Sequence, residues 1–181
     1  GPSEPKPGTR KPEDDAGEGM KPMLLDHAEL AAPSRGAAIA LSEDDTIAVV
    51  VHRDVGSVSV VGIEYPKDAT AKLRLVKEVI VGEGSEPYQV VIAPDGDTAY
   101  VVLRKDQKLI KLGSLRKAPA VAGEVATGSE PTSLALSPSG YYAYVTNWND
   151  GTISEIDTRT LKLSYTYDLN AALVKTGYLG D

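Results

Sequence analysis

The chain has 181 residues, of which 41% are hydrophobic, and its formal net charge is −7. This length suffices for one domain with a real core, and the acidic balance argues against nucleic-acid binding, which needs a basic surface. The lack of cysteine excludes disulfides, zinc thiolate sites and covalently attached c-type haem within this chain. No apolar run approaches the roughly 20 residues that span a bilayer, so we expect no transmembrane segment.

The first 22 residues differ in composition from the rest of the chain. They are dense in Pro, Gly and charge and have almost no apolar side chains. Such a segment buries too little surface to offset its ordering entropy, so residues 1–22 are predicted to form a flexible leader, with Gly1-Pro2 a remnant of an expression tag. The leader is either a tether, such as a spacer after an export signal or a lipid-modified N terminus, or a plain disordered terminus. Residues 23–30 are the first stretch that could order, as a short helix or a strand.

Beyond residue 33 the chain repeats itself. Residues 84–87 (GSEP) recur as residues 128–131, which is an offset of 44 (131 − 87). A more diverged copy lies upstream at an offset of 51 (99 − 48), and most of its seven extra residues fall in 65–70. Repeats of about 40 to 50 residues with several short strands each are the sequence signature of propeller blades.

Each repeat is predicted to form four short antiparallel strands, A to D. In the third repeat, Tyr142, Tyr144 and Thr146 would share one strand face, and Asp150-Gly151 is a strong hairpin signal. The predicted ranges are 37–41, 89–92 and 133–136 for strand A, 47–51, 98–103 and 142–146 for strand B, 57–63, 108–112 and 152–156 for strand C, and 73–81, 121–126 and 161–167 for strand D. The recurring Ala48, Ala99 and Ala143 fit a crowded position where sheets pack closely.

The third repeat resembles the YVTN repeat of bacterial β-propellers. The resemblance rests on residues 144–147 (YVTN), followed by a turn and residues 152–157 (TISEID). It covers roughly 33–169 and is good in the second repeat (YVVL, 100–103) and weak in the first (VVVH, 49–52). It implies an all-β partial propeller over 23–181, with four-stranded antiparallel blades at about 33–82, 83–127 and 128–169 and a connector at 170–181. Members of this family are typically exported or surface-associated, which implies an extracytoplasmic location, in the periplasm or at the cell surface, for a possible lipoprotein.

Three blades are too few for a closed ring, because propellers typically have about four to eight. We therefore expect further blades to complete the ring. They could come from a missing segment, from a second polypeptide cut from the same precursor, which we favour, or from self-association into a six-bladed dimer. In propellers an N-terminal strand commonly joins the last blade, and residues 23–30 could play that part.

In a propeller, the D-to-A and B-to-C loops collect on one rim around the channel, where ligands usually bind. On this register the candidate ligand or partner residues are Arg53, Asp54, Glu86, Tyr88, Arg104, Lys105, Glu130, Trp148, Asn149 and Asp150. Trp148 is the only tryptophan, and it is either a stacking platform for a small-molecule ligand, an anchor for a partner chain, or an aromatic folded onto the neighbouring blade. The charged residues could form a charged bowl or a solvated loop face with weak pairings.

Metal and cofactor signals are sparse. His27 and His52 are the only imidazoles, and a lone His is more often structural than a ligand. His52 at the rim is a weak candidate ligand that a partner chain could supplement. The acidic turns at 42–45 and 95–97 are explained by hydrogen bonds to turn amides, and neither supplies the roughly six oxygens that calcium needs. We assign no metal and no cofactor to this chain alone.

No catalytic constellation, phosphate loop or dinucleotide fingerprint is recognisable, and a fold does not by itself decide function. The favoured hypothesis is a non-enzymatic, extracytoplasmic binding or scaffold module that presents its loop rim to a ligand or a partner chain. The alternative is the propeller portion of a periplasmic haem- or quinone-dependent redox enzyme, with catalytic residues on a partner or missing segment. A metal-dependent, lactonase-like hydrolase is a third, weaker hypothesis, because the rim offers few carboxylates at strand ends.

Overall fold

The computed structural model describes residues 34–67 and 70–177, and three antiparallel sheets account for most of them. The predicted leader, the stretch 23–30, His27 and the end of the predicted connector at 178–181 lie outside the described residues.

Each repeat forms one four-stranded antiparallel meander, which we call a blade. Blade 1 contains β2 (Ile39–Leu41), β3 (Ile47–His52), β4 (Ser57–Glu64) and β5 (Lys72–Ile80). Blade 2 contains β6 (Pro87–Ile92), β7 (Ala99–Leu103), β8 (Lys108–Gly113) and β9 (Ala120–Ala126). Blade 3 contains β10 (Pro131–Leu136), β11 (Tyr142–Asn147), β12 (Thr152–Asp157) and β13 (Lys162–Asp168). The predicted fold class is confirmed, and every predicted strand end lies within two residues of the observed one.

Two further elements flank the blades. β1 (Ser34–Arg35) pairs antiparallel with β10 and gives blade 3 a fifth strand, after which Ala37 bridges to Val90 of β6. The segment leading into blade 1 therefore runs along the A strands of blades 3 and 2. After β13 the chain forms a helix, α1 (Leu169–Lys175), within the region predicted as a connector, and Asp168 caps it by accepting a hydrogen bond from Ala171 N. In the part of the chain that is described, no helix is long and apolar enough to cross a membrane.

The hydrophobic core lies between the blades. Alternation along β11 buries Ala143, Val145 and Asn147 towards blade 2 and leaves Tyr144 and Thr146 on the opposite, exposed face, as predicted. The boundary between blades 1 and 2 buries Val49, Val58, Val60, Val101, Ile110 and Leu112, and the boundary between blades 2 and 3 buries Tyr100, Val102, Leu109, Ala143, Val145 and Ile156. β7 is buried along its whole length because blade 2 has a neighbour on both faces.

The outer blades each leave one face without a covering sheet among residues 34–67 and 70–177. On blade 1 this bare face carries Ile39, Leu41, Leu73, Leu75 and Ile80, each more than half exposed. On blade 3 it carries Tyr144, Tyr165 and Tyr167, whose exposure ranges from 37% to 57%. Contiguous exposed apolar faces of this kind are typical of interaction sites.

Carboxylates in two turns opposite the rim make the fold sensitive to acid. Asp44 accepts hydrogen bonds from Ser42 and Thr46 in its own turn and from Arg116 of blade 2 at 2.8 Å, and these bonds hold its pKa far below the usual value. Hydrogen bonds from the Arg159 side chain and from turn amides, together with the Arg159 charge, outweigh partial desolvation and lower the pKa of Asp157 to about 2. In both cases the folded state favours the ionised carboxylate.

We therefore expect stability to fall as the pH drops below about 4. A folded-state pKa below the unfolded value of 3.8 gives stability that is present above that value and is lost as the pH falls through the folded pKa. Asp157→Asn should reduce the slope of the free energy of unfolding against pH between about pH 4 and pH 2, by up to the contribution of one bound proton. Urea unfolding at a series of pH values measures this slope. An unchanged slope in the variant would contradict the assignment.

Candidate functional site

The rim consists of two kinds of loop that pack on each other. B–C loops (53–56, 104–107 and 148–151) follow the second strand of each blade, and D–A loops (81–86 and 127–130) connect consecutive blades. Arg104 N donates to Glu86 O at 3.0 Å, and Trp148 N donates to Glu130 O at 2.9 Å. Each of these B–C loops is therefore fixed by the D–A loop that leads into its own blade.

The repeated GSEP motif gives both D–A loops the same unusual backbone. Glu86 and Glu130 adopt left-handed conformations, with φ of 52° and 51°, immediately before the proline that begins strand A. Residues other than glycine rarely adopt this conformation, and such backbone strain is concentrated at functional sites. The two carboxylates are thus held at equivalent places on the rim by backbone geometry.

Arginines from the B–C loops join these carboxylates into a continuous Arg–Glu ladder. Arg53 Nη2 lies 3.4 Å from Glu86 Oε2, Arg104 Nη1 lies 3.6 Å from the same oxygen, and Arg104 Nη2 lies 3.1 Å from Glu130 Oε2. The hydrogen bond and charge of Glu130 raise the pKa of Arg104 further above its usual value, with a smaller contribution from Glu86. The guanidinium carbons of Arg53 and Arg104 lie 5.4 and 5.9 Å from the ring centroid of Tyr88, within cation–π range. The ladder crosses both blade boundaries.

Trp148 lies beside Glu130, the last carboxylate of the ladder. It occupies the position in blade 3 that Arg53 and Arg104 occupy in blades 1 and 2, since 104 and 148 are separated by the 44-residue offset. Its side chain is 77% exposed, so it is not folded onto a neighbouring blade. An open groove of about 660 Å³ lies beside it, across the boundary between blades 2 and 3. The groove is lined by Tyr88, Gln89, Arg104, Thr132, Ser133, Thr146 and Trp148.

The remaining predicted rim residues lie outside the ladder. Asp54 and Lys105 are exposed at the tips of their loops and form no ion pair with another described residue. Asp150 accepts a hydrogen bond from Ser129 N, and Asn149 Nδ2 donates to Ser129 Oγ at 3.4 Å. These two side chains therefore fasten the D–A loop before blade 3.

Four groove residues that sequence reasoning did not select, and Asn147, which it placed on the rim, also shape the site. Gln89, Thr132, Ser133 and Thr146 line the groove, and alternation in β10 and β11 is the signal that could have placed Ser133 and Thr146 on one face. Asn147, the last residue of the YVTN motif, is buried, accepts a hydrogen bond from Gly128 N at 3.1 Å and donates to Ser154 Oγ at 3.0 Å. Asn147 therefore links β11 and β12 to the D–A loop that precedes blade 3.

His52 ends β3 on the bare face of blade 1 and takes no part in the ladder. Its Nε2 is 2.8 Å from Ser59 Oγ, and the hydroxyls of Ser57 and Ser59 both donate to Glu78. Burial raises the pKa of Glu78, but these two hydrogen bonds and the nearby His52 outweigh it and lower the pKa overall. Within the described ranges, no group of three or more His, Cys, Asp or Glu side chains could hold a metal ion.

Comparison with known proteins supports the fold and goes no further. No protein-family model matches the sequence, and no curated protein matches it, so the YVTN resemblance has no independent confirmation. Among solved structures, hydrazine synthase of Kuenenia stuttgartiensis superposes with a TM-score of 0.59 and 22% identity over 82% of this chain and 39% of its own. The periplasmic gluconolactonase PpgL of Pseudomonas aeruginosa has a TM-score of 0.60 and 18% identity over 74% of this chain and 39% of its own. The C-terminal WD40 domain of Sif2 has a TM-score of 0.60 and 10% identity over 78% of this chain and 39% of its own.

These similarities are to β-propellers, and at such identities they concern the fold alone. The chain spans about two fifths of the length of each of these structures. Three antiparallel blades that pack face to face, with their loops gathered on one rim, agree with the similarity. The chain therefore forms three blades of a β-propeller.

Proposed function

We propose that this chain is a binding or scaffold module of an extracytoplasmic β-propeller and that its rim receives a ligand or a partner chain. The observation that carries the proposal is Trp148, which is 77% exposed at the point where the Arg–Glu ladder ends and beside an open groove on the rim. A large aromatic ring is costly to leave in water and is typical of binding hot spots. The Pro-, Gly- and charge-rich composition of residues 1–22 suits a tether outside the cytoplasm, and one structural relative is described as periplasmic.

The partner in this proposal is a set of further blades of the same repeat type. Both existing boundaries bury a continuous layer of aliphatic and aromatic side chains, and the bare faces of blades 1 and 3 carry side chains of the same kind. An apolar blade face that packs against a neighbouring blade inside the chain needs a similar blade against it on the first and last blades as well. We favour a second polypeptide from the same precursor, with a missing segment of this polypeptide or a second copy of the chain as the other sources.

We expect Tyr165→Arg to weaken association with the further blades at least about tenfold, because it removes an aromatic ring from the contact and buries a guanidinium, beside Glu155 of the adjacent strand, in an otherwise apolar interface. Val121→Arg is the control, since Val121 is also exposed on an outermost strand but belongs to blade 2, which has neighbours on both faces. Intact mass of the natural species identifies the chain that supplies the blades, and sedimentation measures the affinity. A natural species that stays at the 19.1 kDa of this chain at all concentrations would overturn the proposal.

The redox alternative predicts a different property of the natural assembly. A propeller that forms part of a haem- or quinone-dependent enzyme would copurify with a group that absorbs visible light, held by the partner. An absorbance spectrum of the purified assembly therefore separates this alternative from a binding module. Metal analysis of the same sample tests the lactonase-like hypothesis, which needs a bound metal ion.

A further inference from the structure

The groove beside Trp148 offers little net charge to a ligand. Arg104 is its only charged lining residue, and two carboxylates already neutralise that guanidinium, Glu130 at 3.1 Å and Glu86 at 3.6 Å. Both carboxylates are fixed by left-handed turns, so an anionic ligand would have to compete with oxygens that are already in place. The charge pattern therefore favours a neutral ligand.

The other lining groups combine aromatic rings with hydroxyls. Tyr88 contributes a ring from blade 2 and Trp148 contributes one from blade 3, and the hydroxyls of Thr132, Ser133 and Thr146 line the same groove. None of these three hydroxyls has a side-chain hydrogen bond to another described residue, whereas Gln89 Oε1 accepts from Leu134 N at 3.0 Å and leaves its NH₂ group free to donate. The groove thus pairs an apolar ring face with several uncommitted donors and acceptors.

A saccharide ring matches this combination. Its C–H groups form an apolar face that can lie on an aromatic ring, and its hydroxyls both donate and accept hydrogen bonds around the edge. The groove volume of about 660 Å³ lies within the roughly 300–1,000 Å³ of small-molecule sites. A planar quinone would also stack on Trp148, but its two carbonyl acceptors would leave most of the polar lining unused.

We infer that the groove between blades 2 and 3 binds a neutral saccharide, with one sugar ring stacked on Trp148 and its hydroxyls bonded to Ser133, Thr146 and the Gln89 amide. The inference rests on the proposed function, because it names the ligand class of the rim described above. The groove opens onto the inner part of the blade 3 face that carries Thr146, so this inference requires the further blades to cover the outer part of that face, at Tyr165 and Tyr167, and to leave the groove open.

The single tryptophan makes the experiment direct, because selectively excited tryptophan emission comes from Trp148 alone, beside the groove. The full chain is titrated with cellotriose, maltotriose and chitotriose as neutral probes. Glucose 6-phosphate and trigalacturonate are the anionic probes, and a water-soluble quinone is the planar aromatic probe. We expect a saturable change in emission with at least one neutral trisaccharide and none with the anions.

Variants then locate the site. Thr146→Val keeps the shape of the side chain, and we expect it to weaken binding about threefold to tenfold through loss of a hydroxyl. Trp148→Ala, followed by calorimetry because the fluorophore is gone, should weaken it at least about tenfold. Thr166→Val is the control, since Thr166 is exposed in the same blade but does not line the groove. Unfolding curves that match the parent chain establish that each variant folds.

The outcomes separate the two proposals. A response to the anions or the quinone alone, or to no probe at all, overturns the saccharide inference. If Trp148→Ala then still weakens association with the further blades, the binding module stands without this ligand. If Trp148→Ala changes neither ligand binding nor association, both proposals fail.

Discussion

Replacing Leu112 with Ala should lower the free energy of unfolding by about 3 kcal/mol, whereas replacing Leu75 with Ala should change it by less than about 0.5 kcal/mol. Both substitutions delete the same atoms from a strand residue. Leu112 is fully buried in the boundary between blades 1 and 2, so its removal leaves a cavity between two sheets. Leu75 is 58% exposed on the bare face of blade 1, where no described sheet covers it.

Urea unfolding of the two variants and the parent chain at 25 °C measures the difference, and an unchanged m-value shows that the transition still exposes the same surface. The pair also tests the assembly, because Leu75→Ala should weaken association with the further blades while leaving the chain stable. If Leu75→Ala is as destabilising as Leu112→Ala, the face of blade 1 is already covered within the chain itself. That result would remove the main argument for additional blades.

The strands could be predicted closely because their signals are local. The 44-residue offset aligns the second and third repeats residue by residue, and alternation over five or six residues fixes which side chains share a face. β11 shows this well, since Ala143 and Val145 are buried and Tyr144 faces outward, as the pattern predicts. The same alignment placed Trp148 at the rim beside the GSEP loops.

The groove could not be predicted in the same way because it depends on how two blades are placed against each other. Tyr88 and Thr146 belong to different repeats, and no local pattern gives the distance between them. The exposure of Trp148 could not be predicted either, because the neighbouring sheet decides whether a loop aromatic packs against it. Helix α1 was also missed, because seven residues are too few for a clear helical period.

Left-handed backbone positions show a further limit of local signals. Glycine usually marks such positions, yet Glu86, Gln107 and Glu130 have φ values between 51° and 54°. Gln107 in blade 2 is the repeat equivalent of Gly56 in blade 1, where φ is 73°. The conformation of this loop position therefore tolerates a side chain, and the requirement for glycine at position 56 comes from its surroundings.

Gly56→Ala should therefore destabilise the chain by about 3 kcal/mol, and Gly84→Ala by only about 1 kcal/mol. Both glycines have positive φ, 73° and 75°, so both substitutions carry the cost of a left-handed residue. A Cβ at Gly56 would lie 1.9 Å from the backbone oxygen of Gly82, whereas one at Gly84 would meet nothing within 4 Å. The difference between the variants isolates this backbone contact.

The contact matters for the rim because Gly56 O accepts hydrogen bonds from Val81 N at 2.9 Å and Gly82 N at 3.2 Å. Moving the D–A loop to relieve the clash would also move Glu86, so Gly56→Ala should weaken binding in the groove, and Gly84→Ala should not. Thermal unfolding and the fluorescence titration measure the two effects on the same samples. Equal destabilisation by the two variants would show that the loop yields easily, and the rim would then be less rigid than the Arg–Glu ladder requires.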